Sequence, residues 1–398
     1  MEGSTQGSFI DARARLEYAV LCLATFLIFF TNAHAALLAA VFQSHSMPLD
    51  QIGIILSSYG IPVVVFTLLT GAVAGRIGTL TTLKIGLAIM IVSFVSLHWT
   101  AHAFHAALFS RIIQGVGYGF LFAPLMTYVQ SRLTHHKFVY LFGVFSSMAP
   151  LAQAFGPPWA DYIFFNFGDR YLFVIGVVPA MIGWCLLFCL RPEAIAQKGG
   201  MFDFRISSLS GKGIAFITIF VAGSMFGFLA SFMAGAIHEK TVAIGWFFVA
   251  STAAMFTTRF VGLSYFVQFD RRFIVALGLC TMGVGFACVA FGSSSFHVAL
   301  GGLAFGAGYS VVYPVLSAWI SDGLMTGERS GPQALFNAAF NAGLLLMPLP
   351  VSYLVAGFGY SGALLGLTLL GWAMAAVLFI VSYRLNKTVS ARSLQLGR

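Results

Sequence analysis

Arg111 is the residue of this sequence whose type and position most strongly suggest chemistry. It lies about seven residues inside an apolar run near 104–130, and Gln114 and Tyr118 follow it at i+3 and i+7, so the three side chains share one helical face. A charged side chain within a bilayer is expensive and is a functional hypothesis by default. The alternative is an arginine that snorkels outward or locks helices together.

Asp161 is the only acidic residue that falls inside a predicted membrane span, and it follows Gln153 by eight residues. It lies at a depth similar to that of Arg111, on the next apolar run. An acid and an arginine at one depth on neighbouring helices could pair, or couple through a substrate. The alternative is that Asp161 lines a water-filled opening on the extracellular side.

Two further polar residues in the apolar runs, His34 and Arg259, each allow two interpretations. His34, which follows Asn32 in the first run, titrates near neutral pH and could relay a proton. It could equally be a hydrogen-bonded residue that packs helices together. Arg259 lies near the inner end of the eighth run, where snorkelling to the cytoplasmic face explains it at least as well as substrate contact.

The second half of the chain carries a stripe of amides. Gln333, Asn337 and Asn341 are spaced at i, i+4 and i+8, which favours either a polar wall facing a cavity or hydrogen bonds between helices. Tyr309 and Tyr313 are spaced at i and i+4 in the preceding run. Aromatic stripes usually pack, but facing the amides they would suit an organic substrate.

Composition defines the elements that must position these residues. The 398-residue sequence is 59% hydrophobic and 8% charged, whereas soluble domains are about 45–50% apolar and about 25% charged. This excludes a soluble enzyme, a nucleic-acid-binding protein and a disordered chain. Because a membrane helix needs about 20 apolar residues, we predict an all-α membrane protein with spans 1 to 12 near 18–42, 51–75, 79–100, 104–130, 137–164, 171–190, 213–237, 242–265, 273–292, 296–320, 331–357 and 360–384.

The distribution of basic residues predicts the orientation of these spans. With the N-terminus inside, 17 of the 21 Lys and Arg residues lie in inside segments, and only Arg170 and Lys240 lie outside. This positive-inside pattern accounts for the net charge of +9 without nucleic acid. The predicted parts are a cytoplasmic N-tail (1–17), an N-terminal six-helix bundle (18–190), a cytoplasmic linker (191–212), a C-terminal six-helix bundle (213–384) and a cytoplasmic C-tail (385–398).

The two halves of the sequence repeat one another. The block Gly117-Tyr118 in span 4 recurs as Gly308-Tyr309 in span 10, an offset of 191 residues. The basic loop at Arg76 recurs at Arg271, an offset of 195 residues. Six spans repeated in parallel are typical of one large class of secondary transporters, in which the substrate site lies at the interface of the halves.

The residues from Arg111 to Gly117, RIIQGVG, resemble the fourth-helix motif R-x-x-Q-G-x-G of the major facilitator superfamily. The resemblance implies that superfamily's fold, which is two pseudo-symmetric six-helix bundles around a midplane cavity. It also implies that Arg111 takes part in proton coupling, as the matching arginine of the superfamily does.

The segment from Gly71 to Gly78, GAVAGRIG, resembles the superfamily's loop 2–3 motif G-x-x-x-D-R-x-G-R-R, with Gly75 at the acidic position. A second, decayed copy, VQFDRR, follows span 8. The resemblance implies that these loops gate alternating access, with the gating residues Gly71, Arg76, Gly78, Asp270 and Arg271.

The predicted function is proton-coupled export of a small organic molecule by alternating access. The sparse acids and two buried arginines suggest an anionic or zwitterionic cargo, such as a metal-chelating metabolite. A multidrug exporter, an importer of organic solutes and a non-transporting membrane scaffold or sensor are the alternatives. The chain has no HExxH motif and no phosphate-binding loop, so we predict no enzymatic activity, cofactor or metal site. We expect a monomeric multi-pass protein of the bacterial inner membrane, with both termini cytoplasmic and with the substrate, protons and lipid as its partners.

Overall fold

The structure is a computed structural model that describes residues 5–132, 141, 144–192, 212–259, 269–322 and 330–396. Within these ranges it does not describe the side chains of 5–12, 130, 131, 321, 330, 331, 333, 334 and 383–396. The chain divides into two compact units, Met1–Met201 (unit 1) and Phe202–Arg398 (unit 2).

Unit 1 contains helices at the positions of spans 1 to 6. Span 1 continues through a 3-10 turn at His34–Leu37, and span 6 ends in one at Leu187–Cys189. Its helices are Thr5–Ala33 and Leu38–Ser44 (span 1), Leu49–Ser58 and Gly60–Ile77 (span 2), Thr79–Thr100 (span 3), Phe104–Arg132 (span 4), Met148–Phe167 (span 5), and Asp169–Ile175 and Val178–Leu186 (span 6).

Unit 2 contains helices at the positions of spans 7 to 12. The helix that begins at Pro348 is two helices joined at Gly359, where the backbone is not helical. The helices are Gly213–Ser231 and Met233–His238 (span 7), Gly245–Thr257 (span 8), Arg271–Phe291 (span 9), Ser295–Ser321 (span 10), Ser330–Leu346 followed by 348–358 (span 11), and 360–396 (span 12).

Most of these helices are long and apolar enough to cross a membrane. Nine such stretches occur in the described part of the chain, and the longest, Leu335–Ser382, holds both span 11 and span 12. The two remaining predicted spans correspond to Met148–Phe167 and to the shorter apolar helix Gly245–Thr257. The predicted all-α membrane fold is confirmed, but the helices of spans 1 and 12 extend to residues 5 and 396, because helical hydrogen bonding does not stop where an apolar run stops.

Small residues allow the helices to approach closely in the same way in both units. Span 3 packs on span 4 where Gly86 faces Gly117, and a Cβ added to Gly86 would lie 2.7 Å from the Gly117 carbonyl oxygen. Span 9 packs on span 10 where Gly278 faces Gly308, with 3.1 Å to the corresponding oxygen. Helix association in membranes depends on such close backbone approach, and these pairs are related by the repeat.

Two glycines with positive φ also follow the repeat. Gly168 joins spans 5 and 6 with φ 90° and ψ 172°, and Gly359 joins spans 11 and 12 with φ 71° and ψ 175°. They are 191 residues apart, the same offset as the Gly-Tyr blocks. L-residues with a side chain rarely adopt this conformation, so glycine is required at the same short connection in each unit.

Candidate functional site

Arg111 is buried within unit 1, with a relative exposure of 5%. One guanidinium nitrogen, Nη1, donates a hydrogen bond to Oε1 of Gln114, and the guanidinium carbon lies 4.5 Å from the centroid of the Tyr59 ring. The Tyr59 ring is in turn 5.7 Å from the ring of Tyr118. The spacing of Arg111, Gln114 and Tyr118 on span 4 therefore produces one cluster, and span 2 adds Tyr59 to it. We call these four residues the unit 1 cluster.

Gly115 explains why Tyr59 reaches this position. A Cβ on Gly115 would overlap the Tyr59 carbonyl oxygen, so the helices of spans 2 and 4 are nearly in backbone contact beside Arg111. The sequence analysis did not select Tyr59, although Gly115 belongs to a small-xxx-small pair with Gly119 that predicts a close helix contact. The identity of the facing residue is a tertiary fact that this pattern does not contain.

Within the described residues, the Arg111 charge has no acidic partner. Its Nε atom is buried and has no hydrogen-bond partner there, and its polar contacts are the Gln114 amide and the Tyr59 ring. Asp161 is half-buried on span 5, and that helix packs on span 1 and on the start of span 6. The direct Arg111–Asp161 ion pair considered from the sequence is absent from the described contacts of Arg111, whereas coupling of the two through a substrate stays a prediction.

His34 is enclosed by other side chains in unit 1. It is fully buried, its Nδ1 atom lies 2.7 Å from the Phe30 carbonyl oxygen, and its ring makes edge contacts with Phe30 and Phe94. Gly176 of span 6 packs against the same ring, because a Cβ there would lie 2.8 Å from Cδ2 of His34. These contacts favour the packing interpretation of His34 over a proton relay.

The other predicted polar residues of unit 1 lie apart from the Arg111 contacts. Asn32 and Gln153 are half-buried, on spans 1 and 5, and neither makes a hydrogen bond within the described part of the structure. They stay candidate substrate contacts.

In unit 2 one of the two predicted tyrosines is hydrogen-bonded to the amide stripe. The Tyr313 hydroxyl donates a 2.6 Å hydrogen bond to Oδ1 of Asn337, which links span 10 to span 11. Tyr309 and Asn341 are half-buried on the same two spans. The side chain of Gln333 lies outside the described residues.

Arg259 belongs to this group in unit 2. It lies at the end of span 8, which packs on span 10, the helix that carries Tyr309 and Tyr313. Its Nε atom is buried without a hydrogen-bond partner among the described residues. In unit 1 the arginine of span 4 contacts a tyrosine of span 2, whereas in unit 2 the arginine belongs to span 8, which packs on the tyrosine-bearing span 10.

The predicted gating loops differ between the units. In the loop between spans 2 and 3, Arg76 is exposed, Gly71 has open space around it, and Gly78 joins the two helices. In the loop between spans 8 and 9, Asp270 accepts hydrogen bonds from the Arg272 backbone amide at 2.9 Å and from the Ser382 hydroxyl at 2.6 Å. Arg271 forms an ion pair with Asp322 at the end of span 10.

Comparison of the sequence with known families gives one match over most of the chain. The family model described as Major Facilitator Superfamily matches residues 21–210 and 213–396. A stretch of 165 residues is 26% identical to the uncharacterized MFS-type transporter Rv1250 of Mycobacterium tuberculosis. That stretch is 42% of this chain and 27% of the other protein, so the match spans about a quarter of the length of that relative.

The fold is similar to solved transporter structures. A point mutant of the nucleoside transporter NupG has a TM-score of 0.79 and 15% identity, with 92% of this chain and 99% of that chain covered. The human organic anion transporter MFSD10 (TETRAN) has a TM-score of 0.62 and 17% identity, with 91% and 99% covered. At these identities the likeness concerns the fold alone.

Proposed function

This chain belongs to the major facilitator superfamily and is a non-enzymatic secondary transporter, and from that premise we propose that it exports a small organic anion or zwitterion in exchange for protons. By this proposal the cargo carries a carboxylate or a similar acidic group, and a metal-chelating metabolite is one example. The two units would alternate the access of this cargo to the two sides of the membrane.

The observation that carries the proposal is the uncompensated charge of Arg111. Arg111 is 5% exposed, and the polar contacts of its guanidinium in the described residues are an amide oxygen and an aromatic face. Neither group is negatively charged. Because a buried charge that lacks a partner is destabilising, an anionic cargo that reaches Arg111 would gain binding free energy from it.

The geometry of the unit 1 cluster suits a planar acidic group. Gln114 and Tyr59 hold the guanidinium from one edge and from one face, which leaves its other nitrogens for a ligand. A guanidinium presents donors in a rigid fork that matches a carboxylate. The Tyr118 hydroxyl, on the same helical face, would be a further donor to the cargo.

Asp161 is the proposed site of proton exchange. It is the acidic residue that the sequence places inside a span, and in the structure it is half-buried on span 5. A carboxylate in this setting can bind and release a proton as its access to water changes. Proton coupling through Asp161 and charge recognition by Arg111 are separate roles in this proposal.

The proposed membrane is the bacterial inner membrane, with both chain ends in the cytoplasm and with the monomer as the transporting unit. The excess of Lys and Arg in the inside segments supports this orientation.

Flux into inverted membrane vesicles tests the proposal. With an acidic lumen imposed, we expect accumulation of acidic or zwitterionic probes from a panel of labelled monocarboxylates, dicarboxylates and amino acids. We expect Asp161→Asn to remove the response to the pH gradient, because an amide cannot carry the proton. The matched control is Glu239→Gln, which neutralises an exposed acid between spans 7 and 8.

Two results would contradict the proposal. Accumulation of a lipophilic cation such as tetraphenylphosphonium, with no acidic probe transported, would reject the anionic cargo. An Asp161→Asn protein that keeps the wild-type response to the gradient would reject the proton site at Asp161 while leaving the cargo assignment intact.

A further inference from the structure

Arg259 lies where the helix of span 8 changes its winding. The α-helix ends at Thr257, and residues 258 and 259 form a π-helical turn. Such turns are rare and often occur at functional sites. Within the described residues, the Arg259 side chain makes no hydrogen bond and no ion pair, and its Nε atom is buried. An arginine whose role was only to reach the membrane surface would not need to bury this atom.

Spans 10 and 11 of the same unit offer polar groups that can donate. The Tyr313 hydroxyl donates to Oδ1 of Asn337 at 2.6 Å, so the amide oxygen is occupied and the amide nitrogen is left to donate. The hydroxyl of Tyr309 has no hydrogen-bond partner among the residues that the structure describes, and span 10, which carries it, packs on span 8, which carries Arg259. A guanidinium, a hydroxyl and an amide nitrogen are together suited to an anion and not to a cation.

An aromatic wall adjoins these donors. The ring of Tyr309 lies 4.7 Å from that of Phe226 on span 7 and 6.2 Å from that of Phe340 on span 11. Phe340 also lies 5.3 Å from Tyr313, in an edge-to-face contact. Aromatic rings favour partners that stack or meet an edge, so the body of a ligand held here by its acidic group would be planar.

We propose that Arg259, Tyr309 and Asn337 form a binding site within unit 2 for the carboxylate of an aromatic acid, with Phe226 and Phe340 contacting its ring. This inference rests on the proposed transport of organic anions and narrows the cargo to aromatic acids. The site consists of residues of unit 2 alone and does not include Arg111.

Three small probes separate charge from shape. Benzoate has the carboxylate and the ring, benzamide keeps the ring but is neutral, and cyclohexanecarboxylate keeps the charge without an aromatic face. Binding would be measured on the purified full-length protein in nanodiscs, from the shift in melting temperature and from saturation-transfer NMR of the probe. We expect benzoate to bind more tightly than either of the other two.

Variants then locate the site. We expect Arg259→Gln to weaken benzoate binding about tenfold or more, because charge-assisted hydrogen bonds are lost, and to leave the weak binding of benzamide unchanged. The matched control is Arg170→Gln, which removes an exposed arginine from unit 1 and should leave benzoate binding at the wild-type level.

Asn337→Asp keeps the proposal testable if Arg259→Gln does not fold. This isosteric change places a carboxylate in the proposed site, where it should compete with benzoate for the guanidinium and remove benzoate binding. Tyr309→Phe removes one donor and should weaken binding less than either change.

Several outcomes would overturn the site. They are equal binding of benzoate and benzamide, no benzoate binding to the wild-type protein at millimolar concentration, or full benzoate binding by both Arg259→Gln and Asn337→Asp. These binding measurements need no transport. A negative binding result would therefore reject this site without deciding the flux test of the anionic cargo. Conversely, loss of pH-driven flux with benzoate binding intact would reject the proposed function and not this site.

Discussion

In unit 1 the buried Arg111 lies near the start of span 4, against Tyr59 of span 2, whereas in unit 2 the half-buried Arg259 lies near the end of span 8, which packs on span 10. Spans 2 and 8 are equivalent in the repeat, as are spans 4 and 10. Each arginine therefore belongs to an equivalent pair of helices, spans 2 and 4 or spans 8 and 10. The arginine is on the second helix of the pair in unit 1 and on the first in unit 2.

The packing residues explain how this exchange is possible. The position equivalent to Arg111 in unit 2 is Gly302, 191 residues later, and a Cβ there would overlap the carbonyl oxygen of Phe247. Unit 2 has no room for an arginine at that point of span 10. The repeat thus keeps two glycines, Gly115 and Gly117 in unit 1, and the tyrosine that follows them. Close packing depends on the glycines, whereas the position of the arginine differs between the units.

The loops between spans 2 and 3 and between spans 8 and 9 differ in the same manner. Unit 2 has the acid Asp270, which caps span 9 and accepts a hydrogen bond from Ser382 of span 12. The equivalent loop of unit 1 has Gly75 at the acidic position of the superfamily motif, next to the exposed Arg76. We infer that the acid at the start of span 9 ties this end of the loop to the bundle of unit 2, and that Gly75 provides no such tie in unit 1.

Arg111→Lys should have the largest effect and would sharpen the contrast between the units. Lysine keeps the charge but loses the planar fork that lies over Tyr59 and donates to Gln114. We expect a loss of anion flux of about tenfold or more, corresponding to at least about 1.4 kcal/mol, in protein that still folds and inserts. Flux into inverted vesicles, corrected for the amount of folded protein, is the measurement.

Arg170→Lys, at an exposed arginine of unit 1, is the control and should transport normally. Wild-type flux in Arg111→Lys would show that a point charge suffices. Wild-type flux in Arg111→Ala as well would show that Arg111 does not bind the cargo and is a structural residue.

The sequence predicted the fold better than it predicted the sites. Long apolar runs predict membrane helices because backbone groups in lipid must be satisfied within the helix, and the glycines of span 4 predict close packing, as Gly115 and Gly117 show. Tyr59 was missed because nothing local marks which residue faces Gly115. The 3-10 turn at His34 was missed because no local pattern in the sequence marks it.

Residue spacing predicted side chains that meet within span 4 and between spans 10 and 11, whereas membrane depth did not predict a direct contact between spans 4 and 5. The face shared by Arg111, Gln114 and Tyr118 follows from helical geometry, and the Arg111–Gln114 hydrogen bond agrees with it. The pairing of Arg111 with Asp161 was inferred from membrane depth alone. Depth does not state which helices are neighbours, and spans 4 and 5 pack on different partners within unit 1.

Gly306→Val tests the packing that the two units share, and we expect an intermediate effect. A Cβ at Gly306 overlaps the carbonyl oxygen of Ser251, so spans 8 and 10 must separate at a cost of about 1–3 kcal/mol. Gly115→Val, at the equivalent position of unit 1, should cost a similar amount because of Tyr59. Melting temperature and monodispersity of the purified protein are the measurements.

The control for these two changes is Gly366→Val in span 12, where the nearest atom, Cδ1 of Leu354, lies 3.9 Å from the added Cβ. It carries the same change in helix propensity without the overlap. If all three variants lost the same stability, helix propensity and not close approach would explain the glycines, and the packing equivalence of the units would fail.

Asp270→Ala should have the smallest effect and concerns the contrast between the inner loops. The change removes the acceptor for the Arg272 amide and for the Ser382 hydroxyl, and loss of a helix N-cap costs about 0.5–2 kcal/mol. Asp322→Asn is the comparison, since it removes an ion pair whose partners are about half exposed and which should therefore contribute less than about 1 kcal/mol. Melting temperatures at low and high salt separate the two, because screening by salt weakens an exposed ion pair and leaves a cap hydrogen bond nearly unchanged. If the Asp270→Ala protein were as stable as Asp322→Asn at every salt concentration, Asp270 would not hold the start of span 9 in place. The acid of unit 2 and the glycine of unit 1 would then differ in sequence but not in their effect on stability.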